Sequence, residues 1–260
     1  MRGFRNGLAA GIKSIEIMLV KSTIKDIQSL AGKKQRELSG NFLLEGPKLV
    51  QELLLSHRSL AVGVYAIESW ATANRELLRD IELTIVSEAE LARISQLATP
   101  NQVLAIAKQI PTAAPTATGV ITLVCCGIQD PGNLGTIIRI ADWFGIKQIV
   151  CSEDTADLYN PKVVQSTMGS IFRVQLYYTD LQHWLQKQQG VRIFASLLEG
   201  KDVTKMEPIT EGILLIGNES KGIPEELIQL SQVKISIPGK GNAESLNAAV
   251  AAGIILSHLS

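Results

Sequence analysis

The sequence predicts an α/β protein in two parts: a small α/β domain over residues 21–109, then a larger domain with a largely parallel sheet over 119–260. Three observations support this. Helix-like and strand-like segments alternate along most of the chain, the pattern of βα units. The later strands are near-continuous apolar runs such as "ILLIG", which suits strands covered on both faces of a parallel sheet. Between the halves, "IPTAAPTATG" (Ile110 to Gly119) is rich in Pro, Ala and Thr and breaks both periodicities, marking a linker at 110–118.

Taken in order, the opening "MRGFRNGLAAGIKSIEI" begins with arginines but lacks a long apolar core and a clear small-residue cleavage site, so it does not read as a signal peptide. Residues 1–20 read as a leader, poorly ordered or at most a loose helix, with Met18 as an alternative start. Ile24 to Leu38 reads as helix, "NFLLEG" as strand, and Pro47 to Ser56 as helix with Pro47 in its first turn. "LAVGVYAI" is a strand, "ESWATANRELLRD" a helix and "IELTIV" a strand. "SEAELARISQL" is a helix opened by Ser87, with Glu90 completing a capping box, and "QVLAIAKQ" is the last strand of this half. Beyond the linker the strands are "VITLVCC", "KQIVCS", "IFRVQLY", "VRIFAS", "GILLIG" and "VKISIP", with helical segments between them.

Composition narrows the function. Hydrophobic residues make up 46% of 260, enough for a proper core and against disorder. Cys125 and Cys126 are neighbours in an apolar run and should point to opposite faces of a strand; with Cys151 they read as core thiols of a reducing compartment. No apolar run reaches the roughly 18 residues that span a membrane, so a cytoplasmic location is expected. His57, His183 and His258 are scattered, which offers neither a triad nor a metal cluster. Net charge is +0, which excludes a strongly basic nucleic-acid binder. Its distribution is uneven: up to Glu37 there are eight basic residues against three acidic. Lys33, Lys34 and Arg36 in "GKKQRE" are either a solvated helix end or a phosphate-contacting patch.

Ligands of open α/β sheets bind beyond the carboxyl ends of strands, and three such junctions carry unusual residues. In "GIQDPGNLGTIIRIADWFG", Pro131, Gly132 and Asn133 make a turn with Asn133 as helix cap, and Gly145 suits the helix end. Ile137, Ile138, Ala141 and Phe144 form the apolar stripe, and Arg139 is the helix's single basic side chain. In "LLIGNESKGIPEEL", Gly217 closes the strand, letting a ligand approach the backbone, and Asn218 and Glu219 follow. In "IPGKGNAESLNAAVAAGIILSHL", a loop of donors and acceptors abuts a helix of small and apolar residues. That helix should be buried on nearly every face, with Ser245 as its cap; its orphan N–H groups would need partners, which a bound polar ligand supplies. "GKGNAE" has Glu244 where a dinucleotide-binding fingerprint needs glycine, and no P-loop pattern exists.

These three loops resemble, in order and spacing, the three motifs of the SpoU/TrmH branch of the SPOUT RNA methyltransferases. "NLGTIIR" resembles the first, "LLIGNESKGIP" the second and "ISIPGKGNAESLNAAVAAGIIL" the third; "QDPGNLGT" and "YNPKVVQSTMGSIF" also read like this family. The likeness runs from Val120 to the C-terminus, and "NFLLEGPKLV" and "ATPNQVLAI" more weakly resemble the family's preceding substrate-binding domain. The resemblance implies a trefoil-knotted catalytic domain, a ribosomal-protein-like RNA-binding domain before it, S-adenosylmethionine held bent in the knot, and a homodimer with its active site across the interface. It implies methyl transfer to a ribose 2′-hydroxyl of RNA; the extra N-terminal domain favours ribosomal over transfer RNA, and the scattered histidines favour no metal. Residue by residue it assigns Asn133, Arg139, Glu219, Ser245 and Asn247 to the reaction centre, and Gly217, Asn218, Ile237, Pro238 and Leu246 to the cofactor. Lys33, Lys34 and Arg36 would bind the RNA. A transfer-RNA ribose methyltransferase and a non-catalytic RNA-binding protein on the same fold are the alternatives.

Overall fold

The alternation read from the sequence is present in the structure, a computed structural model that describes residues 19–260. The leader expected over residues 1–20 lies outside the described residues up to residue 18; of its last two residues, Leu19 is buried and its N–H donates to Glu90 at 3.0 Å, so the packed domain begins there. The first half runs α1 (Lys21–Ser29), α2 (Lys33–Ser39), β1 (Asn41–Glu45), α3 (Pro47–Ser56), β2 (Ala61–Ala66), α4 (Glu68–Ala73), β3 (Leu83–Ile85), α5 (Glu88–Ile94) and β4 (Val103–Lys108). Its four strands lie in the order β1–β4–β2–β3, antiparallel except for β2 beside β3. Pro47 opens α3, and Ser87 with Glu90 forms the expected capping box on α5.

Two expected helices come out shorter. The helix expected over Ile24–Leu38 is two helices, because Gly32 takes an extended conformation and restarts the chain as the N-cap of α2. The break leaves the carbonyls of Leu30 and Ala31 open, and Arg36 closes them: its Nη1 donates to both, at 2.8 and 2.6 Å. The helix expected over "ESWATANRELLRD" stops at Ala73, and the chain turns until Leu78 is buried.

The second half runs β5 (Ile121–Cys126), α6 (Pro131–Trp143), β6 (Gln148–Cys151), α7 (Pro161–Thr167), β7 (Gln175–Tyr178), α8 (Leu181–Gln186), β8 (Ile193–Asp202), β9 (Gly212–Gly217), α9 (Glu225–Ile228), β10 (Val233–Ser236) and α10 (Ala248–Leu259). The sheet order is β10–β8–β9–β5–β6–β7, and each neighbouring pair is parallel. Ile171 and Phe172, expected in a strand, form a short 3₁₀ turn before β7. Successive side chains of β5 face opposite ways, as expected: Cys125 packs with Cys151, Ile137, Ala252 and Leu256, while Cys126 packs with Val124, Trp184 and Leu227. Burial pushes the Cys126 and Cys151 thiols well above the ordinary thiol range, so they behave as small core hydrophobes. Gly135 lets α7 cross α6 closely: a Cβ there would stand 2.4 Å from the Ser166 Cβ.

The two halves share one apolar core, in which Phe42, Leu44 and Leu53 of the first meet Val163, Val164 and Ile171 of the second. Polar contacts line the same seam. Arg36 Nη2 lies 2.5 Å from Asp157 Oδ2, the Phe42 and Tyr159 ring centres are 4.7 Å apart, and the Ile110 N–H donates to the Tyr159 hydroxyl at 2.8 Å. Arg173 joins Glu52 on α3 to Asp142 on α6.

Candidate active site

Parallel strands end on the same side, so the loops after β5, β9 and β10 open along one edge of the sheet. The β5 loop turns at Gly127, whose φ is +68° and whose N–H donates to Ser152 Oγ at 2.8 Å. Asp130, not Asn133, caps α6: its Oδ1 accepts from the Asn133 N–H at 2.8 Å. Pro131 follows at the first helical position, so Asn133 sits one turn in with its side chain free for other partners.

The β9 loop is a tight turn tied by Asn218. Asn218 exchanges two backbone hydrogen bonds with Gly222, and its Oδ1 accepts from the N–H groups of Ser220 and Lys221. Its Nδ2 donates to the Gly127 carbonyl at 2.8 Å, which locks the β9 loop to the β5 loop. Gly217 is glycine for a nearer reason than ligand approach: a Cβ there would stand 2.6 Å from the Gly222 carbonyl carbon.

In the β10 loop the cap of α10 is Asn247 rather than Ser245. The Asn247 Oδ1 accepts from the N–H groups of Ala249 and Val250 at 3.0 and 3.2 Å. The chain therefore answers part of the helix's demand that a ligand was expected to meet. Nor is α10 covered all round: Val250 is 50% exposed, and Gly253 and Ile254 are half-buried. The ligand-ready groups lie earlier. Among the described residues, none from Ile237 to Leu246 makes an intramolecular hydrogen bond, and Leu246 and Ile237 leave apolar surface beside these open main-chain groups. That combination fits a cofactor held through main-chain contacts. Ser245, Pro238 and Leu246 are exposed in this loop.

Side chains join the three loops in a single chain of hydrogen bonds. Asn133 Nδ2 donates to Glu219 Oε1, and Asn247 Nδ2 donates to Asn133 Oδ1 at 2.9 Å. The orientation is self-determining. An ionised carboxylate only accepts, so Asn133 must turn its amide nitrogen to Glu219 and its oxygen to Asn247. Asn247 must then present its nitrogen, leaving its oxygen for the helix amides, which are donors. Glu219 keeps its second oxygen for a further donor.

Arg139 is exposed on α6, without a hydrogen-bond or ion-pair partner among the described residues. It lies six residues beyond Asn133, about 9 Å along the axis. Lys33 and Lys34 are exposed on α2. Arg36 is corrected: its side chain is 3% exposed and bound to Asp157, Leu30 and Ala31, so it holds the two halves together and is not available to a phosphate. A cleft of about 360 Å³ opens nearby, lined by Gly127, Ser152, Asp154, Asp180, Asn218 and Leu227 among others. Of the expected site residues only Asn218 lines it, so it lies beside the Asn133–Glu219–Asn247 chain and does not contain it. Among the described residues no group of three or more His, Cys, Asp or Glu is placed to hold a metal ion. Sequence reasoning passed over Asp130, Asp157 and Lys162. The first is an aspartate three residues before an asparagine, so either could cap; the others lie in "ADLYNPKVV", where spacing shows no partner.

The sequence model of the SpoU rRNA Methylase family matches residues 120–257, and that of the MRM3-like substrate binding domain matches 21–105. The chain is 33% identical to the 23S rRNA (guanosine(2553)-2′-O)-methyltransferase RlmP of Bacillus subtilis, over 91% of this chain and 95% of that one. Among solved structures it resembles a protein of the TrmH family from Porphyromonas gingivalis, at a TM-score of 0.81 and 33% identity over 93% of this chain and 98% of that one. It also resembles the AdoMet-bound rRNA methyltransferase of Sinorhizobium meliloti, at 0.80 and 30%, over 95% and 96%. The chain belongs to the SpoU rRNA methylase family, with a substrate-binding domain ahead of the catalytic one.

Proposed function

We propose that the protein methylates a ribose 2′-hydroxyl of ribosomal RNA, with S-adenosylmethionine as donor, in the cytoplasm. The observation that carries this reading is the hydrogen-bonded chain Glu219–Asn133–Asn247, which ties together the three family motif loops at one edge of the sheet. Gly217, Asn218, Ile237, Pro238 and Leu246 would hold the cofactor, largely through the main-chain groups left open from Ile237 to Leu246. When bound, S-adenosylmethionine supplies a methyl group on a positively charged sulfonium.

A ribose hydroxyl is a poor nucleophile near neutral pH, so the residues must align it and take up its developing charge. The free Glu219 oxygen is placed to accept a hydrogen bond from a substrate hydroxyl, with Asn133 fixing the carboxylate and Asn247 fixing Asn133. A guanidinium donates hydrogen bonds and does not serve as a base, so Arg139 would act by stabilising the forming alkoxide. Ser245 would line the same centre. The 2′-hydroxyl separates RNA from DNA, and Lys33 and Lys34 offer exposed charge for the RNA backbone.

The separation of Arg139 from the Asn133 chain supports a homodimer in which Arg139 serves the partner's site. Trp143 is 85% exposed and lies one turn beyond Ile140, which packs 3.5 Å from the Cβ position of Gly253 on α10. With Val250 and Ile254 these make an apolar two-helix face fit for a second copy. On the same reading the segments forming the three loops are threaded as a trefoil knot.

The test is transfer of tritiated methyl from S-adenosylmethionine to RNA from a strain lacking the gene. The expected outcome is label in large ribosomal RNA that survives alkali as a dinucleotide. Label confined to transfer RNA would move the substrate class. Label released as a modified base, or no label and no cofactor binding by calorimetry, would overturn the reading.

A further inference from the structure

The segment "YNPKVVQSTMGSIF" has no part in the reaction centre described above, yet it brings a cation to its border. Asn160 caps α7, accepting from the Lys162 N–H at 2.9 Å, and Pro161 sets the first turn. The ammonium of Lys162 is thereby carried over the start of α6: Nζ lies 3.7 Å from Asp130 Oδ2, and Cε lies 3.9 Å from the Cβ position of Gly132. Gly132 immediately precedes Asn133. The placement is rigid, because α7 crosses α6 at Gly135 with no room for a Cβ. Gly132, Thr136 and Arg139 share one face of α6, with Arg139 about 10 Å along the axis from Gly132.

The ion pair does not account for this lysine. Its side chain is 67% exposed and that of Asp130 is 49% exposed, so their attraction is worth little in water. Asp130 already has a structural task through its other oxygen, as the cap of α6. The same neighbourhood is fastened to the RNA-binding half, since Arg36 of α2 grips Asp157, five residues before Lys162. A cation held at the mouth of a site for a polyanion, in a chain whose net charge is +0, has an evident electrostatic use.

We propose that Lys162 contacts a backbone phosphate of the RNA flanking the target ribose, and that Asp130 competes with that phosphate for the ammonium. The assignment rests on the reading of the site as an RNA ribose methyltransferase. Lys162 is a positioning residue: it sets where the strand lies beside the start of α6 and leaves the reacting atoms to Glu219, the asparagines and the arginine that a second copy supplies. The competition by Asp130 keeps single contacts weak and lets product leave.

The experiment uses the full-length protein and transcribed large-subunit ribosomal RNA, with Kd measured across a salt series alongside methylation kinetics. Lys162→Gln should raise Kd and KM about fivefold to tenfold and lower the salt slope by about 1, with kcat and cofactor affinity held. Lys162→Arg should restore most of the affinity. Asp130→Asn keeps the capping oxygen and removes the charge, so it should move Kd the opposite way, to tighter binding. Unchanged Kd and salt slope in Lys162→Gln would overturn the proposal, as would equal weakening by Lys162→Gln and Asp130→Asn, the mark of a structural pair. Failure of the wild-type protein to methylate any RNA would count against the reaction, while the Kd comparison would still decide the phosphate contact.

Discussion

Arg36 and Arg139 both sit on helices, and the fold uses them in opposite ways. At the seam between the halves, Arg36 is buried, bonded to two carbonyls and paired with a carboxylate. At the rim of the parallel sheet, Arg139 is exposed, with no partner among the described residues. The same contrast holds around them. The seam pairs Arg173 with Glu52 and Asp142 and gives Tyr159 a backbone partner at Ile110, while burial pushes the Tyr159 phenol up to about 12. The rim holds Glu219 exposed with its carboxylate bonded to Asn133, and Asn247 exposed, bonded to Asn133 and to the α10 amides it caps. Charge inside the seam is compensated and so belongs to stability. At the rim, Arg139 and Glu219 have no ion-pair partner among the described residues, and on the proposed reading they serve binding and chemistry.

Two substitutions set the seam against the rim. Arg139→Ala should lower kcat by about 10²–10³, the scale of losing one preorganised charge at a reaction centre, with Tm within about 1 °C of wild type. Wild-type turnover would remove Arg139 from the chemistry, and a large fall in Tm would return it to structure. Arg36→Ala should do the reverse. It strands Asp157 and reopens the Leu30 and Ala31 carbonyls, costing about 3 kcal/mol, or roughly 6–12 °C in Tm. The rate per folded molecule should hold, measured well below the transition. A stable Arg36→Ala protein with weakened RNA binding would restore Arg36 to the phosphate patch.

What was legible in the sequence divides along the same line. Periodicity and turn chemistry are local, so β1, α3, the Ser87–Glu90 capping box and the parallel strands could be read before any fold was known. The three loops could be read as well, because each follows a strand and carries residues that a plain turn does not need. Partnership could not. Arg36 meets Asp157 across 121 positions, Asn133 meets Glu219 across 86, and Asn247 meets Asn133 across 114. No spacing rule reaches that far. Caps failed at closer range: Asp130 and Asn133, or Ser245 and Asn247, are all competent oxygens, and only the backbone path decides which one faces the helix amides.

Asn247 lies on both sides of the comparison, since its oxygen caps α10 and its nitrogen steers Asn133. Asn247→Asp separates the two. The carboxylate still caps, and its charge suits a helix N-terminus, so Tm should hold. It cannot donate, so Asn133 would face acceptors at both ends and Glu219 would lose its fixed orientation. We expect kcat to fall about tenfold, the worth of one hydrogen bond to a charged group. Asn247→Ala should lower kcat similarly and also cost about 1 kcal/mol of stability through the lost cap. Equal stability of the two variants would mean that the cap contributes nothing.

The smallest effect is expected at Glu45, a buried carboxylate outside both regions, whose oxygens accept from the Gln96 N–H at 2.8 Å and from the Ser95 hydroxyl. Burial raises its pKa above the ordinary glutamate value, more than these two donors lower it. The native state therefore holds a proton where the unfolded chain has already released one, so this group weakens the fold as pH rises from the unfolded pKa through the native one. Glu45→Gln keeps an oxygen for the Gln96 N–H and has no charge to desolvate. Below about pH 4, where both states of the glutamate are protonated, variant and wild type should melt alike. The variant's advantage should then grow with pH and level off once the wild-type carboxyl is ionised. A Tm difference that is flat across this range would show that hydrogen-bond geometry, not desolvation, governs Glu45.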